Sequence, residues 1–297
     1  MKRAADDKGS MSKERSAAAA PAWRGPAWMG GAVLSFLTMA LSGRELSTTL
    51  STFQILFFRS VVGLVVVGLL AWHAGAAVLR TRRPGLHAAR NLAHLGGQFG
   101  WFFAIGALPL ASVFAIEFTI PLWTALLAVA LLGERLTALR AMSVALGLAG
   151  VLMILRPGAG LLHPAAFAAL GSALCYALSY LATKRLTPTE APLTILFYMT
   201  TMQLPLAALG AAWYWQPPVW AQWPWIVLVG VSALTAHYCI VRALALADLA
   251  LVIPVDFLRL PLVALLGAWL YGEQIDALAV AGMVVIVAAN WLNLRRR

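Results

Sequence analysis

Four ionisable side chains, Arg59, Glu117, Asp256 and Arg259, fall inside long apolar stretches of the sequence. Ionised groups in such surroundings are costly unless paired or wet, so each marks candidate chemistry. Glu117 and Asp256 are followed by prolines, Pro121 and Pro261, each of which leaves a backbone carbonyl without its helical donor. Carboxylates beside interrupted helices suit the binding of a cation or a proton. Asp256 also has a structural use, because Arg259 lies three residues on and can neutralise it. Neither Glu117 nor Arg59 has an opposite charge nearby in its own stretch, so the two are expected to pair with each other.

A polar stripe accompanies these charges. Asn91, His94, Gln98 and Trp101 recur at spacings of 3, 4 and 3, which is one face of a helix. Such a stripe suits the wall of a cavity that touches an amphipathic solute. Ser172, Tyr176, Ser179 and Thr183 form a second stripe, and His237 and Tyr238 stand opposite the first. The candidate substrate-binding residues are therefore His94, Gln98, Trp101, Glu117, Tyr176, Ser179, His237 and Tyr238. Arg59, Asp256 and Arg259 are candidate structural or coupling charges. Hydrogen bonding between helices is the competing use of the Asn, Gln and Ser side chains. Imidazoles titrate near neutral pH, which leaves His94 and His237 as candidate proton carriers.

The sequence contains no HExxH, no GxGD and no GxxxxGK[ST]. A zinc site, an intramembrane aspartyl protease and direct use of ATP are therefore not expected, and no cofactor is implied. An intramembrane enzyme would need His94 and Glu117 within hydrogen-bond reach of each other. Cys175 and Cys239 both lie in apolar stretches and read as small fillers, not as a disulfide or a metal site.

The elements that must position these residues follow from composition. Of 297 residues, 62% are hydrophobic and 11% charged, where soluble domains carry about 25% charged residues. This points to an all-α integral membrane protein with the lipid bilayer as its surroundings. Apolar segments of membrane-spanning character occur at 27–43, 53–72, 88–106, 111–132, 138–155, 164–183, 193–213, 223–243, 249–271 and 277–294. Residues 1–25 are polar and basic and read as a disordered cytoplasmic tail. The net charge of +11 is a topology signal and implies no nucleic-acid partner. With the N-terminus inside, 18 of the 22 basic residues fall in inner segments and two in outer ones. That places both termini in the cytoplasm. Trp213, Trp215, Trp220, Trp223 and Trp225 flank an uncharged outer loop, as an interfacial belt does.

Offsetting the sequence against itself by 139 residues aligns Gly133-Glu134 with Gly272-Glu273 and Glu117-Phe118 with Asp256-Phe257. Gln98 then falls on His237 and Ala104 on Ala243. Two related halves of five spans each, residues 26–160 and 161–297, must cross the membrane in opposite senses. The expected fold is thus ten transmembrane helices as two five-helix inverted-topology repeats. Gly96 and Gly100 form a GxxxG pair that permits close helix approach. Glu134 and Glu273 end their spans on opposite sides, where capping or gate contacts are expected.

Over residues 27–294 the chain resembles EamA-type members of the drug/metabolite transporter superfamily. The resemblance rests on Arg59, Arg90, Ala107-Leu108-Pro109-Leu110-Ala111, Pro121, Gly133-Glu134, Gly147, Gly150-Val151 and Arg156-Pro157-Gly158. In the second half it rests on Pro254, Asp256-Phe257, Arg259-Leu260 and Gly272-Glu273. It implies ten helices, a bacterial inner membrane and export of small metabolites or amino acids. Glu117 stands where the family more often has an uncharged residue. Rings near the polar stripes (Trp101, Phe102, Trp123, Tyr176, Tyr180, Tyr198, Tyr238) favour aromatic amino acids as solutes. Multidrug-cation efflux driven by protons, with Glu117 as the cation site, is the second transport expectation.

Overall fold

The computed structural model describes residues 23–75, 79–132, 137–155, 163–247, 255–274 and 276–294. Among them there are helices and turns and no strand, as lipid demands of a chain that must satisfy its backbone internally. The helices are α1 (Arg24–Ser47), α2 (Thr52–Ala74), α3 (Pro84–Ala107), α4 (Leu110–Glu117), α5 (Ile120–Leu132) and α6 (Ala138–Leu155). They continue as α7 (Pro164–Leu186), α8 (Pro192–Trp213), α9 (Trp223–Leu246), α10 (Arg259–Tyr271) and α11 (Ala277–Leu294).

Local chemistry sets the starts. Ser51 and Gln54 form a reciprocal capping box at α2. Prolines occupy the first turns of α3, α7, α8 and α9, where a missing N–H costs nothing.

Among the described residues, six stretches are long and apolar enough to cross a membrane: Arg24–Ser47, Thr52–Ala74, Leu110–Leu131, Pro164–Leu186, Pro192–Trp213 and Trp220–Ala243. Ala141–Ile154 and Ala277–Leu292 are shorter apolar helices. α3 is not among the six, and its buried residues include His87, Arg90, Asn91, His94 and Gln98. Arg90, counted from the sequence among the basic residues of an inner segment, lies within α3 and is 5% exposed. The 111–132 segment is not one continuous helix but breaks at Phe118 and Thr119 between α4 and α5. α1 begins at Arg24, so the end of the 1–25 segment is helical; residues 1–22 lie outside the described residues. Glu134, Arg156-Pro157-Gly158 and Pro254 lie outside them too.

The heaviest helix contacts are α1 on α9, α3 on α7, α6 on α11 and α2 on α8. Glycines make two of these close. A Cβ on Gly97 would come within 2.9 Å of the Tyr176 ring, and one on Gly100 would run into the Ala168 carbonyl of α7. Ser172 then donates a 2.6 Å hydrogen bond to the Gly97 carbonyl. Between α6 and α11, Gly150 and Gly282 face each other so tightly that a Cβ on either would lie 2.8 or 2.7 Å from the other's carbonyl oxygen.

Candidate functional site

The site grows from the two interrupted helices. Pro121 has no N–H for the Glu117 carbonyl, and Pro261 has none for the Phe257 carbonyl. The chain breaks after Glu117 and again at Leu258. At the first break Thr119 Oγ1 donates to the Ile116 carbonyl at 2.6 Å, and Asn290 Nδ2 of α11 donates to the Phe118 carbonyl. The two breaks meet, with the Phe118 and Phe257 rings 5.5 Å apart. These two residues are also equivalent under the 139-residue offset.

The Glu117 carboxylate sits at this junction. One oxygen accepts from Trp101 Nε1 at 2.7 Å and the other from Arg259 Nη1 at 3.1 Å. Arg259 Nε lies 3.6 Å from Asp256 Oδ1. Three rings, Phe36, Phe118 and Phe114, surround the guanidinium at 4.5, 4.9 and 5.4 Å, contacts that favour a cation away from water. Glu117 thus joins α4 to α10 by a charge-assisted hydrogen bond of the stronger kind.

Beside the junction lies a narrow cavity of about 30 Å³, room for about two water molecules. Phe36 and Met39 of α1, Arg59 of α2, and His94, Gln98, Trp101 and Phe102 of α3 line one part of it. Glu117, Tyr176, Tyr180, Ala233 and His237 complete the wall. His94 Nδ1 is 3.1 Å from Gln203 Nε2, which fixes the ring edge-on to Tyr176 at 5.5 Å. The His94 and His237 rings are 6.0 Å apart. Gln98 has neither its amide nitrogen nor its oxygen hydrogen-bonded, and Arg59 Nε likewise has no acceptor among the described residues.

The cavity brings together His94, Gln98, Trp101, Glu117, Tyr176, His237 and Arg59. Two candidates fall elsewhere. Tyr238 is 54% exposed and packs edge-on against Trp28, because consecutive helical residues point about 100° apart and His237 takes the inward position. The Ser179 hydroxyl is buried with no hydrogen-bond partner among the described residues and does not line the cavity. Asp256 stands behind Arg259. The expected Arg59–Glu117 pair is not formed: Arg259 takes the carboxylate, while the expected Asp256–Arg259 pairing is present. His94 and Glu117 share no hydrogen bond; their side chains are engaged by Gln203 on one side and by Trp101 and Arg259 on the other. Ser172 and Thr183 bond between helices, to the Gly97 carbonyl and Arg90 Nε. Phe36, Met39 and Gln203 were not singled out by the sequence. Gln203, a buried amide in an apolar span, was a detectable signal; the two apolar residues of α1 were not.

Polar networks tie both ends of the bundle. Where α1 and α10 finish, Arg44 Nη2 donates to Glu273 Oε1 at 3.1 Å, and Glu273 Oε2 accepts from the Leu110 N–H at 2.8 Å. Arg44 also donates to the Leu108 and Ile105 carbonyls, and Tyr271 OH donates to Glu45 at 2.8 Å. Burial pushes the Glu273 carboxyl above its ordinary value, against the opposing pull of the Leu110 N–H and Arg44. At the other end Thr81 donates to Glu190 at 2.7 Å, His87 Nε2 lies 3.7 Å from the same carboxylate, and Arg83 donates to the Arg185 carbonyl.

Known proteins with similar sequences are transporters. The chain is 26% identical over 247 residues to the S-adenosylmethionine uptake transporter of Rickettsia bellii, covering 83% of this chain and 85% of that one. It is 30% identical to the riboflavin transporter of Rhizobium johnstonii, with 89% and 85% covered. To the pseudopaline exporter CntI of Pseudomonas aeruginosa it is 28% identical, with 87% and 91% covered. The family model for EamA-like transporters matches twice, over residues 23–156 and 163–295, and with these two copies spanning nearly all of it, the chain belongs to the EamA-like transporter family.

Proposed function

We propose that the protein is a secondary transporter that carries small organic metabolites, first among them amino acids including aromatic ones, outward across the bacterial inner membrane. It is a transporter and not an enzyme. The observation that carries the substrate reading is the cavity, which gathers rings and unpaired polar groups around one narrow space that must widen to admit a solute. Its architecture is ten crossings in two inverted five-helix halves, 26–160 and 161–297, with both termini in the cytoplasm. Helix packing supports this: α1 on α9 and α7 on α3 exchange under the repeat, whereas α2–α8 and α6–α11 each join equivalent helices. Alternating access then consists of one arrangement of halves opening the cavity to each side in turn.

The relatives carry S-adenosylmethionine, riboflavin and pseudopaline, inward in one case and outward in another. S-Adenosylmethionine joins an amino-acid end to a flat ring, the combination this cavity suits. Multidrug-cation efflux fits less well, since Glu117 is already matched by Arg259 and Trp101. The test is reconstitution into liposomes with labelled phenylalanine, tryptophan, S-adenosylmethionine, riboflavin and the lipophilic cation tetraphenylphosphonium, with and without a pH gradient. Saturable movement of an amino-acid solute is expected, and acceleration by the gradient would show proton coupling. Movement of lipophilic cations alone would overturn the reading.

A further inference from the structure

We propose that Arg59 is the anion-binding residue of this cavity and that the site selects solutes bearing a free carboxylate, with Gln98 as the neutral partner beside it. The proposal rests on the transport reading of the cavity and names the chemical group that the reading leaves open.

Arg59 is 5% exposed and Gln98 2%, yet both line the cavity and both have side-chain atoms without a hydrogen-bond partner among the described residues. A guanidinium taken out of water with a donor left unpaired is costly, so such a group inside apolar helices points to a ligand. The protein's own nearby carboxylate is committed, because Glu117 uses its two oxygens on Trp101 and Arg259. A second cation, Arg90, deepens the positive character of this side, being close enough to repel Arg59, while His94, His237 and Tyr176 line the same cavity. Arg90 is itself held by Thr183 and Asn91. A cation that carries no carboxylate would be repelled here. A planar carboxylate matches the fork of donors on a guanidinium, and Gln98 adds a donor and an acceptor for the same group or a neighbouring one. Phe36, Trp101, Phe102 and Tyr176 line the same cavity and offer rings to a flat or apolar body carried by the carboxylate.

The experiment is calorimetric titration of the full chain in detergent with L-phenylalanine, L-tryptophan and L-methionine, each paired with its carboxamide. Acid and amide share the ring or side chain and the ammonium, and differ in the carboxylate. At least one acid is expected to bind, with its amide about tenfold weaker or more, the range for one charged hydrogen bond. R59Q is expected to erase the difference between acid and amide, and R59K to keep part of it. The wild-type comparison stands even if R59Q fails to fold, which size-exclusion chromatography reports. Equal binding of acid and amide, an undiminished preference in folded R59Q, or binding of no acid in the panel each overturns the proposal. Acids that bind no better than amides yet move in liposomes would sink the anion site and leave the transport reading intact. An Arg59-dependent preference without movement would do the reverse.

Discussion

At the scale of single residues, the contact with most at stake is Glu117 with Arg259, side chains that are 10% and 7% exposed. Removing one member of a buried pair strands the other, at a cost of about 3–5 kcal/mol. Arg259→Met should therefore lower the melting temperature sharply, and Arg259→Met with Glu117→Gln should recover much of the loss. Additive losses in that double-mutant cycle would show that the two groups do not act together. The charges themselves were legible in the sequence because so few ionisable groups interrupt its apolar stretches. Their pairing was not: Glu117 bonds to a residue 142 positions away, and only the meeting of two broken helices decides that Arg259 and not Arg59 is the partner. Choosing His237 over Tyr238 also needed the packing, since each is a plausible polar residue and only one can face inward.

At the scale of helices, glycine decides how closely α3 and α7 approach. Gly100→Leu must push against the Ala168 backbone and Ser172, and overpacking of this kind costs about 1–3 kcal/mol. Gly30 of α1 has nothing within 4 Å of a Cβ, so Gly30→Ala should stabilise by about 0.5–1 kcal/mol through helix propensity. Thermal melts of the two variants check the contrast; equal effects would mean that the α3–α7 contact is loose. The GxxxG spacing announced this contact, as Pro121 and Pro261 announced the breaks, because each acts through local covalent geometry. The sequence did not show that Gly97 also opens α3, to receive the Tyr176 ring that lines the cavity.

At the scale of the whole molecule, the Arg44–Glu273–Leu110 network ties together the ends of α1, α4 and α10. Glu273→Gln removes the ion pair and should loosen that tie. In a background with Cys175 and Cys239 replaced by Ala, Gln98→Cys should then react about severalfold faster with a membrane-impermeant maleimide, as expected when a closing contact is lost. An unchanged rate would remove the network from any gating role. Because burial raises the Glu273 carboxyl, the folded protein binds more protons than the unfolded chain between the ordinary value of 4.5 and the raised one. Wild type should lose stability relative to Glu273→Gln as pH climbs through that window, and melts across the range read it directly. The meeting of Phe118 with Phe257 has one more consequence. Position 259 is arginine, but its counterpart at the same offset, position 120, is isoleucine. The acceptor Glu117 and the donor Arg259 thus belong to unlike partners across a single axis. Two copies of the first half would bring two glutamates and no arginine, whereas two copies of the second half would bring aspartate in the place of glutamate beside arginine. Expressed as separate polypeptides, first halves alone should fail to rebuild the ion pair at the junction, and adding the second half should restore it.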